Sequence, residues 1–159
     1  ESVRVRPGNL SPAAVELGGA LSVSDEVIAA AGRGEEAAVL AWLDSGGRVN
    51  ATYERDGVSG VTLLMTAANN GHERVVELLM HHGAEIDLQN NKGGTALMGA
   101  AGNGHERVVE LLIRHGAEIN LQDSEGFTAL MYAAASGHER VVDLLLQHGA
   151  ELNLQNSDG

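Results

Sequence analysis

The string GHERVV occupies residues 71–76, recurs at 104–109 and recurs again at 137–142. Both steps are 33 residues long. One threonine and one glycine in each unit keep the same step: Thr62, Thr95 and Thr128, and Gly83, Gly116 and Gly149. Self-similarity at a fixed period of this length indicates a stacked array of small units, each burying its apolar face only against its neighbours.

Each unit predicts two helices and a loop. Thr95 is suited to cap a short helix through its hydroxyl, and Gly104 ends this helix by allowing a left-handed backbone. Residues 105–115 place valines and leucines at helical spacing and predict a second helix, which Gly116 ends. The segment after Gly116 turns over as an extended loop before the next threonine. The unit is therefore helix, turn, helix, protruding loop.

A weaker unit precedes these three. Gly34 and Gly46 are 12 residues apart, as Gly71 and Gly83 are, and the loop that follows carries four extra residues. We expect residues 1–23 to form an N-terminal extension or cap, with a short helix from Ser11-Pro12 to Gly18-Gly19. A divergent first repeat with an extended loop follows at 24–56. Further repeats span 57–89, 90–122 and 123–155, and residues 156–159 start another unit.

The units resemble the ankyrin repeat over residues 24–155. The third complete unit reads DSEGFTALMYAAASGH and closes with GAELN, beside the family's D-x-x-G-x-T-P-L-H-x-A-A opening, G-H turn and G-A-x-x-N ending. The chain departs from the family at T-P-L-H, where the proline becomes Leu63, Ala96 or Ala129 and the histidine becomes Met65, Met98 or Met131. This departure removes a pre-organised helix start and a polar side chain that ties neighbouring loops in the family.

The resemblance implies an all-α fold, an ankyrin-repeat solenoid of helix-turn-helix units with protruding hairpin-like loops. It also implies that inner helices and loop tips line a concave face, that outer helices form the convex back, and that the array binds other proteins.

The composition excludes several classes of function. The 159 residues carry a formal net charge of −12 and no basic stripe, which disfavours nucleic acid and anionic membranes as partners. There is no cysteine, so disulfides, thiolate metal sites and cysteine nucleophiles are excluded. No apolar run is long enough to span a bilayer, and no secretory segment is recognisable near the start. We therefore expect an intracellular, cytoplasmic protein.

Comparison of the units with one another points to the concave face. Units 57–89 and 90–122 match at 23 of 33 positions, and units 90–122 and 123–155 match at 22. Most differences fall in the first 14 residues, which form the loop tip and the inner helix. Partner recognition would produce this clustering, and recent duplication followed by drift is the alternative. The candidate partner-binding residues are Val58, Ser59, Val61, Thr66, Asn69, Asn70, Asn91, Lys92, Gly94, Gly99, Gly102, Asn103, Ser124, Glu125, Phe127, Tyr132, Ala135 and Ser136.

Two glycines in this set predict a groove. Gly99 and Gly102 lie one turn apart on the middle inner helix. Their missing side chains should leave a depression between Asn69 and Asn70 on one side and Tyr132 on the other, where a partner side chain or helix docks.

Two aromatic residues in the set are candidate anchors. Phe127 and Tyr132 stand at varying positions where other units carry smaller residues. Aromatic side chains are favoured at binding hot spots, and exposure through drift is the alternative interpretation.

The sequence contains no constellation that predicts catalysis or a cofactor. Its histidines form two columns, His72, His105 and His138, and His82, His115 and His148. Equivalent residues of packed helices lie about 8–10 Å apart, too far to share a zinc ion at about 2 Å, so we interpret them as turn histidines that bond nearby carbonyl groups. The stretch NKGGT lacks the lysine directly before the threonine that a phosphate-binding loop requires. We expect no enzyme activity, no cofactor and no metal.

Other repeated residues have structural interpretations. We expect ion pairs at i and i+3 on the outer helices, Arg74–Glu77, Arg107–Glu110 and Arg140–Asp143, and core packing of Trp42. The loop asparagines Asn50, Asn120 and Asn153, interrupted by Asp87, should hold the turn, and the resemblance implies asparagine hydroxylation as an alternative role.

The last outer helix, residues 138–148, is as apolar as the internal ones, whereas repeat arrays usually end in a polar cap. We expect an exposed stripe near Met131, Leu144 and Leu145, and earlier fraying of residues 137–155 than of the middle of the array. Either further repeats follow or this end contacts another molecule.

The sequence thus predicts a non-enzymatic scaffold that binds a protein or peptide through its concave face. A structural spacer within a larger multi-repeat or multidomain protein is the alternative. We expect a monomer, with end-to-end contacts at the C-terminal repeat as a second arrangement.

Overall fold

The computed structural model describes residues 23–159, which form four helix pairs and one β-hairpin. The short helix expected between Ser11 and Gly19 lies outside the described residues. In chain order the elements are α1 (Asp25–Arg33), α2 (Glu36–Asp44), β1 (Thr52–Arg55), β2 (Val58–Thr62), α3 (Leu63–Asn69), α4 (Glu73–His81), α5 (Ala96–Gly102), α6 (Glu106–Arg114), α7 (Ala129–Ala135) and α8 (Glu139–Gln147).

Hydroxyl caps start the inner helices, as the sequence predicts. The Thr95 Oγ1 atom accepts a hydrogen bond of 3.2 Å from the Met98 backbone N–H. Thr62 and Thr128 cap α3 and α7 in the same way, and Ser24 caps α1. Each hydroxyl satisfies a backbone donor that the first turn of a helix would otherwise leave without a partner.

The helices form two layers. The inner helices α1, α3, α5 and α7 pack side by side, and each also packs on the outer helix that follows it. Ala100 and Ala101 are fully buried and let neighbouring inner helices approach closely, while Val108 and Val109 of α6 fill the space between the layers. Trp42 belongs to this core, as predicted.

Histidine side chains join consecutive repeats. The Nε2 atom of His105 lies 3.0 Å from the carbonyl oxygen of Asn69, at the end of the preceding inner helix. Equivalent bonds join His72 to Gly32 and His138 to Gly102. The second column bonds within its own unit, where His82, His115 and His148 place Nδ1 on the carbonyl four residues earlier. The interpretation of both columns as turn histidines that bond carbonyl groups is confirmed.

The loops between an outer helix and the next inner helix are here called fingers 1 to 3, at residues 45–62, 82–95 and 115–128. The segment that follows the last outer helix, residues 148–159, is called finger 4. Finger 1, which carries the four extra residues, contains the antiparallel hairpin, with Thr52 opposite Thr62 and Tyr53 opposite Val61. Backbone hydrogen bonds then link each finger to the next, from Asn91 N–H to Ser59 O, Ser124 N–H to Lys92 O and Ser157 N–H to Glu125 O, at 2.7–3.0 Å.

Glycine is required where one finger crosses the next. Gly126 has φ 85°, and a Cβ atom there would lie 2.7 Å from the Asn156 Cα atom of finger 4. At Gly93, with φ 78°, a Cβ atom would lie 2.7 Å from the Ser124 backbone nitrogen. Both the left-handed backbone and the adjacent main chain exclude a side chain at these positions.

The loop asparagines hold successive fingers together. The Asn120 Oδ1 atom accepts a hydrogen bond of 2.9 Å from the Glu151 N–H, and Asn50 makes the equivalent bond. Asp87 interrupts the series in sequence but continues it in structure, since its carboxylate accepts a bond of 2.9 Å from the Glu118 N–H. Asn50 and Asn120 therefore have a structural role, but they bond to the next finger and not, as was expected, within their own turn.

The ion pairs of the outer helices differ from the expectation. Among the described residues, the pairs Arg74–Glu77, Arg107–Glu110 and Arg140–Asp143 do not form. Each arginine instead approaches a glutamate of the preceding outer helix: Arg74 approaches Glu36, Arg107 approaches Glu73 and Arg140 approaches Glu106, at 3.4–4.0 Å. Stacking brings this lateral neighbour closer than the residue one turn away. The arginines are 76–82% exposed, so the pairs contribute little to stability.

The C-terminal end exposes part of the expected apolar set and other apolar residues besides. Met131 and Leu144 are half-buried, whereas their equivalents Met98 and Leu111 are buried. Leu145, in contrast, is fully buried, as its equivalent Leu112 is. The expectation for Leu145 was wrong because this residue lies on the side of α8 that its own unit covers. The additional apolar surface comes from Ala134 and Val142, whose internal equivalents are fully buried, and from Leu146 and Leu152, which are 37% and 78% exposed.

Candidate functional site

An open groove of about 870 Å³ lies across the inner helices. It runs from α1 and the hairpin turn of finger 1, over α3 and α5, to α7. Eleven of the residues that differ among the units line it: Val58, Val61, Thr66, Asn69, Asn70, Gly94, Gly99, Gly102, Asn103, Tyr132 and Ser136. Positions that are far apart in sequence are thus brought to one continuous surface.

The other seven sequence-predicted site residues lie outside the lining of the groove: Ser59, Asn91, Lys92, Ser124, Glu125, Phe127 and Ala135. Most of them stand at the finger tips, where their backbone groups form the ladder between fingers. Ala135 is exposed at the end of α7. Their side chains belong to the rim or the outer surface of the fingers.

Sequence reasoning missed two groups of lining residues. The first comes from the divergent first unit, which had no aligned counterpart: Ile28, Ala29, Gly32, Arg33, Arg55 and Asp56. The second includes Met65, Met98 and Thr95, which a search for variation passes over because they are the same in each unit. The replacement of the family's histidine by methionine was the signal that could have identified this second group.

The groove has an apolar floor and an amide rim. Met65 and Met98 line it at 8% and 5% exposure. At the rim, the Asn103 side chain donates hydrogen bonds of 2.9 Å to Asn69 Oδ1 and to the Gly99 carbonyl. An apolar floor with a few fixed polar groups suits the burial of a partner's apolar side chain beside hydrogen bonds to its peptide groups.

The two glycines of α5 widen the groove where the sequence predicts a depression. A Cβ atom at Gly99 would lie 3.1 Å from the Asn69 Oδ1 atom, and one at Gly102 would lie 3.5 Å from the Tyr132 Cβ atom. Both glycines line the groove together with Asn69 and Tyr132. At these two positions the groove therefore reaches the backbone of α5, and Asn69 and Tyr132 lie close to it on either side.

Tyr132 borders the C-terminal end of the groove. Its ring centroid lies 5.4 Å from that of Phe127, with the planes tilted by 35°, and its hydroxyl donates a hydrogen bond to Asp123 Oδ2. Partial burial, this hydrogen bond and the charges of Asp123 and Glu125 raise the pKa of the Tyr132 phenol to about 12. The two aromatics form one step, in which Tyr132 faces the groove and Phe127 lies behind it.

The N-terminal end of the groove has a different character. Arg33 and Arg55 line it, and the Arg33 guanidinium pairs with the Glu35 carboxylate at 2.6 Å. The Tyr53 hydroxyl of β1 hydrogen-bonds to Thr66 of α3 and so attaches the hairpin to the inner layer. Burial raises the pKa of the Tyr53 phenol above its ordinary value. The groove thus has Arg33, Arg55 and Asp56 at one end and the aromatic step of Tyr132 and Phe127 at the other.

Chemistry that needs a metal has no geometric support in residues 23–159, where no three histidine, aspartate or glutamate side chains converge as ligands. In the same part of the chain, no helix is both long enough and apolar enough to cross a bilayer.

The repeats match a known protein family. The family model described as ankyrin repeats in three copies matches residues 27–123 and also residues 64–156. No curated protein matches the chain significantly.

Proposed function

Because the chain belongs to the ankyrin repeat family, we propose that it is a non-enzymatic scaffold that binds a protein or peptide through the groove on its concave face. Ankyrin repeats are generally protein–protein interaction modules and are typically non-enzymatic. We also propose that the groove is the binding site and that the protein is an intracellular monomer. Its repeats would span residues 24–56, 57–89, 90–122 and 123–155. The net charge of −12 supports the monomer, since copies repel one another.

One observation carries the proposal. Units that are otherwise alike differ at five repeat positions, and eleven residues at these positions line a single groove. The outer helices have solvent on one side as well, yet they hardly differ between units. Freedom from structural constraint would let both surfaces vary, whereas recognition of one asymmetric partner requires variation at the groove alone.

The test compares two variants that each add one arginine. Gly99→Arg fills the groove. It is compatible with folding because the one close contact of its Cβ atom, at 3.1 Å, is with the end of the Asn69 side chain, and because arginine is a better helix former than glycine. The matched control is His81→Arg on the exposed face of α4. This control copies Arg114, which stands at the equivalent position of the next unit.

Proteins crosslinked to the wild-type chain in cell extract would be quantified by mass spectrometry for all three forms. We expect a set of proteins that His81→Arg retains and Gly99→Arg loses. If Gly99→Arg retains the same set, the groove is not the binding surface, and the alternative of a structural spacer becomes the better account.

A further inference from the structure

The C-terminal end of the groove holds a fixed aromatic ring beside two carboxylates, and we infer that it binds an arginine side chain of the protein partner. This inference rests on the proposed function and adds the chemical class of the residue recognised at that end. It is carried by the surroundings of Tyr132, the exposed carboxylate of Glu125 and the net charge of the chain.

The Tyr132 ring is held in place and left uncovered on the groove side. Phe127 packs against it with centroids 5.4 Å apart, and its hydroxyl is bound to Asp123. On the α5 side, Gly102 lies next to Tyr132 and has no side chain to cover the ring. A cation above such a ring is attracted by the negative face of the π-system, and a ring that is already fixed loses no freedom when the cation binds.

The two carboxylates near this ring have different tasks. Asp123 is fully engaged: Oδ1 accepts 2.9 Å hydrogen bonds from the N–H groups of Glu125 and Phe127, and Oδ2 accepts the Tyr132 hydroxyl. The Glu125 side chain is exposed and forms no ion pair within residues 23–159. It is therefore available to a guanidinium, which bonds carboxylates through two parallel N–H groups. Arginine combines this bond with stacking on an aromatic ring, which lysine does less well.

The charge of the chain favours a basic partner. At the other end of the groove, Arg33 is paired with Glu35 and Arg55 is accompanied by Asp56, so both cations there have a carboxylate beside them. Over longer distances the net charge of −12 attracts a basic partner. The Tyr132 ring and the exposed Glu125 carboxylate then give the arginine of that partner a place over α7.

The experiment uses two capped tripeptides as probes, acetyl-Gly-Arg-Gly-amide and acetyl-Gly-citrulline-Gly-amide, titrated into the ¹⁵N-labelled chain. Citrulline keeps the length and the planar end group but has no charge. We expect saturable shifts of the backbone amides of Gly102, Asn103, Tyr132 and Ser136, with about threefold to tenfold tighter binding of the arginine peptide.

Three variants separate the contributions. Tyr132→Leu should abolish the preference for arginine, and Tyr132→Phe, which keeps the ring, should retain most of it. Glu125→Gln should weaken the arginine peptide about threefold, and the matched control Glu77→Gln on the exposed face of α4 should not. Should Tyr132→Leu fail to fold, the comparison of Glu125→Gln with Glu77→Gln still decides.

Any of three results would overturn the inference. The two peptides could bind with equal affinity, the four amides could show no saturable shift, or the preference for arginine could be unchanged in Tyr132→Leu or in Glu125→Gln. The proposed function has a separate readout, the proteins lost by Gly99→Arg. A groove that loses its partners in that variant but shows no arginine preference leaves the proposed function standing and removes only this inference.

Discussion

The hydroxyl of Tyr132 donates a hydrogen bond to the Oδ2 atom of Asp123, nine residues earlier in the chain. The other oxygen of the same carboxylate accepts two backbone N–H groups and forms the turn of finger 3. In the preceding unit, Asn90 forms the same turn with its amide oxygen, and glycine stands at the position of Tyr132. The carboxylate therefore couples the shape of a finger to the position of a ring in the groove.

This coupling is measurable as a titration. The chain has two tyrosines, so Tyr53→Phe leaves Tyr132 as the only phenol. We expect its absorbance at 295 nm to titrate with a pKa of about 12. Asp123→Asn should keep the turn, as Asn90 does, and lower this pKa, while burial of the ring keeps it above the ordinary value of about 10. A pKa near 10 in the Tyr53→Phe parent would contradict the geometry described for Tyr132.

The same group makes stability depend on pH in the alkaline range. The folded pKa lies above the value of about 10 in the unfolded chain, so the stabilisation from the neutral phenol is fully present below pH 10 and is lost as the pH rises toward 12. Urea unfolding of Tyr53→Phe between pH 9 and 11 should show a larger loss of stability than that of Tyr53→Phe with Tyr132→Phe. Parallel losses in the two forms would argue against this origin.

Gly93 is expected to be more sensitive to substitution than Gly116, although both have positive φ. Gly116→Ala meets no atom within 4 Å and should cost about 1–2 kcal/mol from backbone strain alone. Gly93→Ala also drives its Cβ atom into the main chain of finger 3, which should add at least about 1 kcal/mol. Free energies of unfolding from urea titrations test this order, and equal costs would show that the fingers separate easily.

Asp87 should tolerate asparagine but not alanine. Only one side-chain oxygen is used, as acceptor for the Glu118 N–H, and an amide oxygen performs this task at Asn50 and Asn120. Asp87→Asn should therefore leave the free energy of unfolding nearly unchanged, while Asp87→Ala should lower it by about 1 kcal/mol. If both variants unfold alike, this hydrogen bond between fingers contributes nothing measurable.

Hydrogen exchange should reveal uneven stability along the array. Helix α6 packs between α4 and α8, whereas α8 packs against only one other outer helix among the described residues. We expect amides of residues 139–147 to exchange at least about tenfold faster than those of 106–114, through local opening of the last unit. Similar protection of the two helices would mean that another surface covers α8.

The sequence could predict those features of the fold that depend on residues close together in the chain. The threonine caps and the helix ends follow from residues within one turn, and the structure confirms them at Thr62, Thr95 and Thr128. The ion pairs were wrong because a rule for residues on one helix does not include the neighbouring helix. Arg107 meets Glu73 from the preceding unit, 34 residues earlier, rather than Glu110.

The groove could be predicted only where units could be compared. Variation among three units identified Asn69, Gly99 and Tyr132, but the first unit is too divergent to align, so Arg33 and Arg55 were missed. Leu145 shows the opposite error. Leu145 is the equivalent of Leu112 in the preceding repeat, and Leu112 is buried. The expectation of exposure was wrong because it considered only the apolar composition of the last helix and not this equivalence.

The histidine joints have a consequence for how such an array changes length. Each histidine binds a backbone carbonyl, at Gly32, Asn69 or Gly102, so the joint does not depend on which side chain stands there. Excision of residues 90–122 would bring His138 to the carbonyl of Asn69 in place of His105. Unequal recombination between the repeated segments of the gene could therefore remove or add whole units without breaking the hydrogen bonds between neighbouring repeats. Each such event would change which residues line the groove and would keep the stacking of the helices.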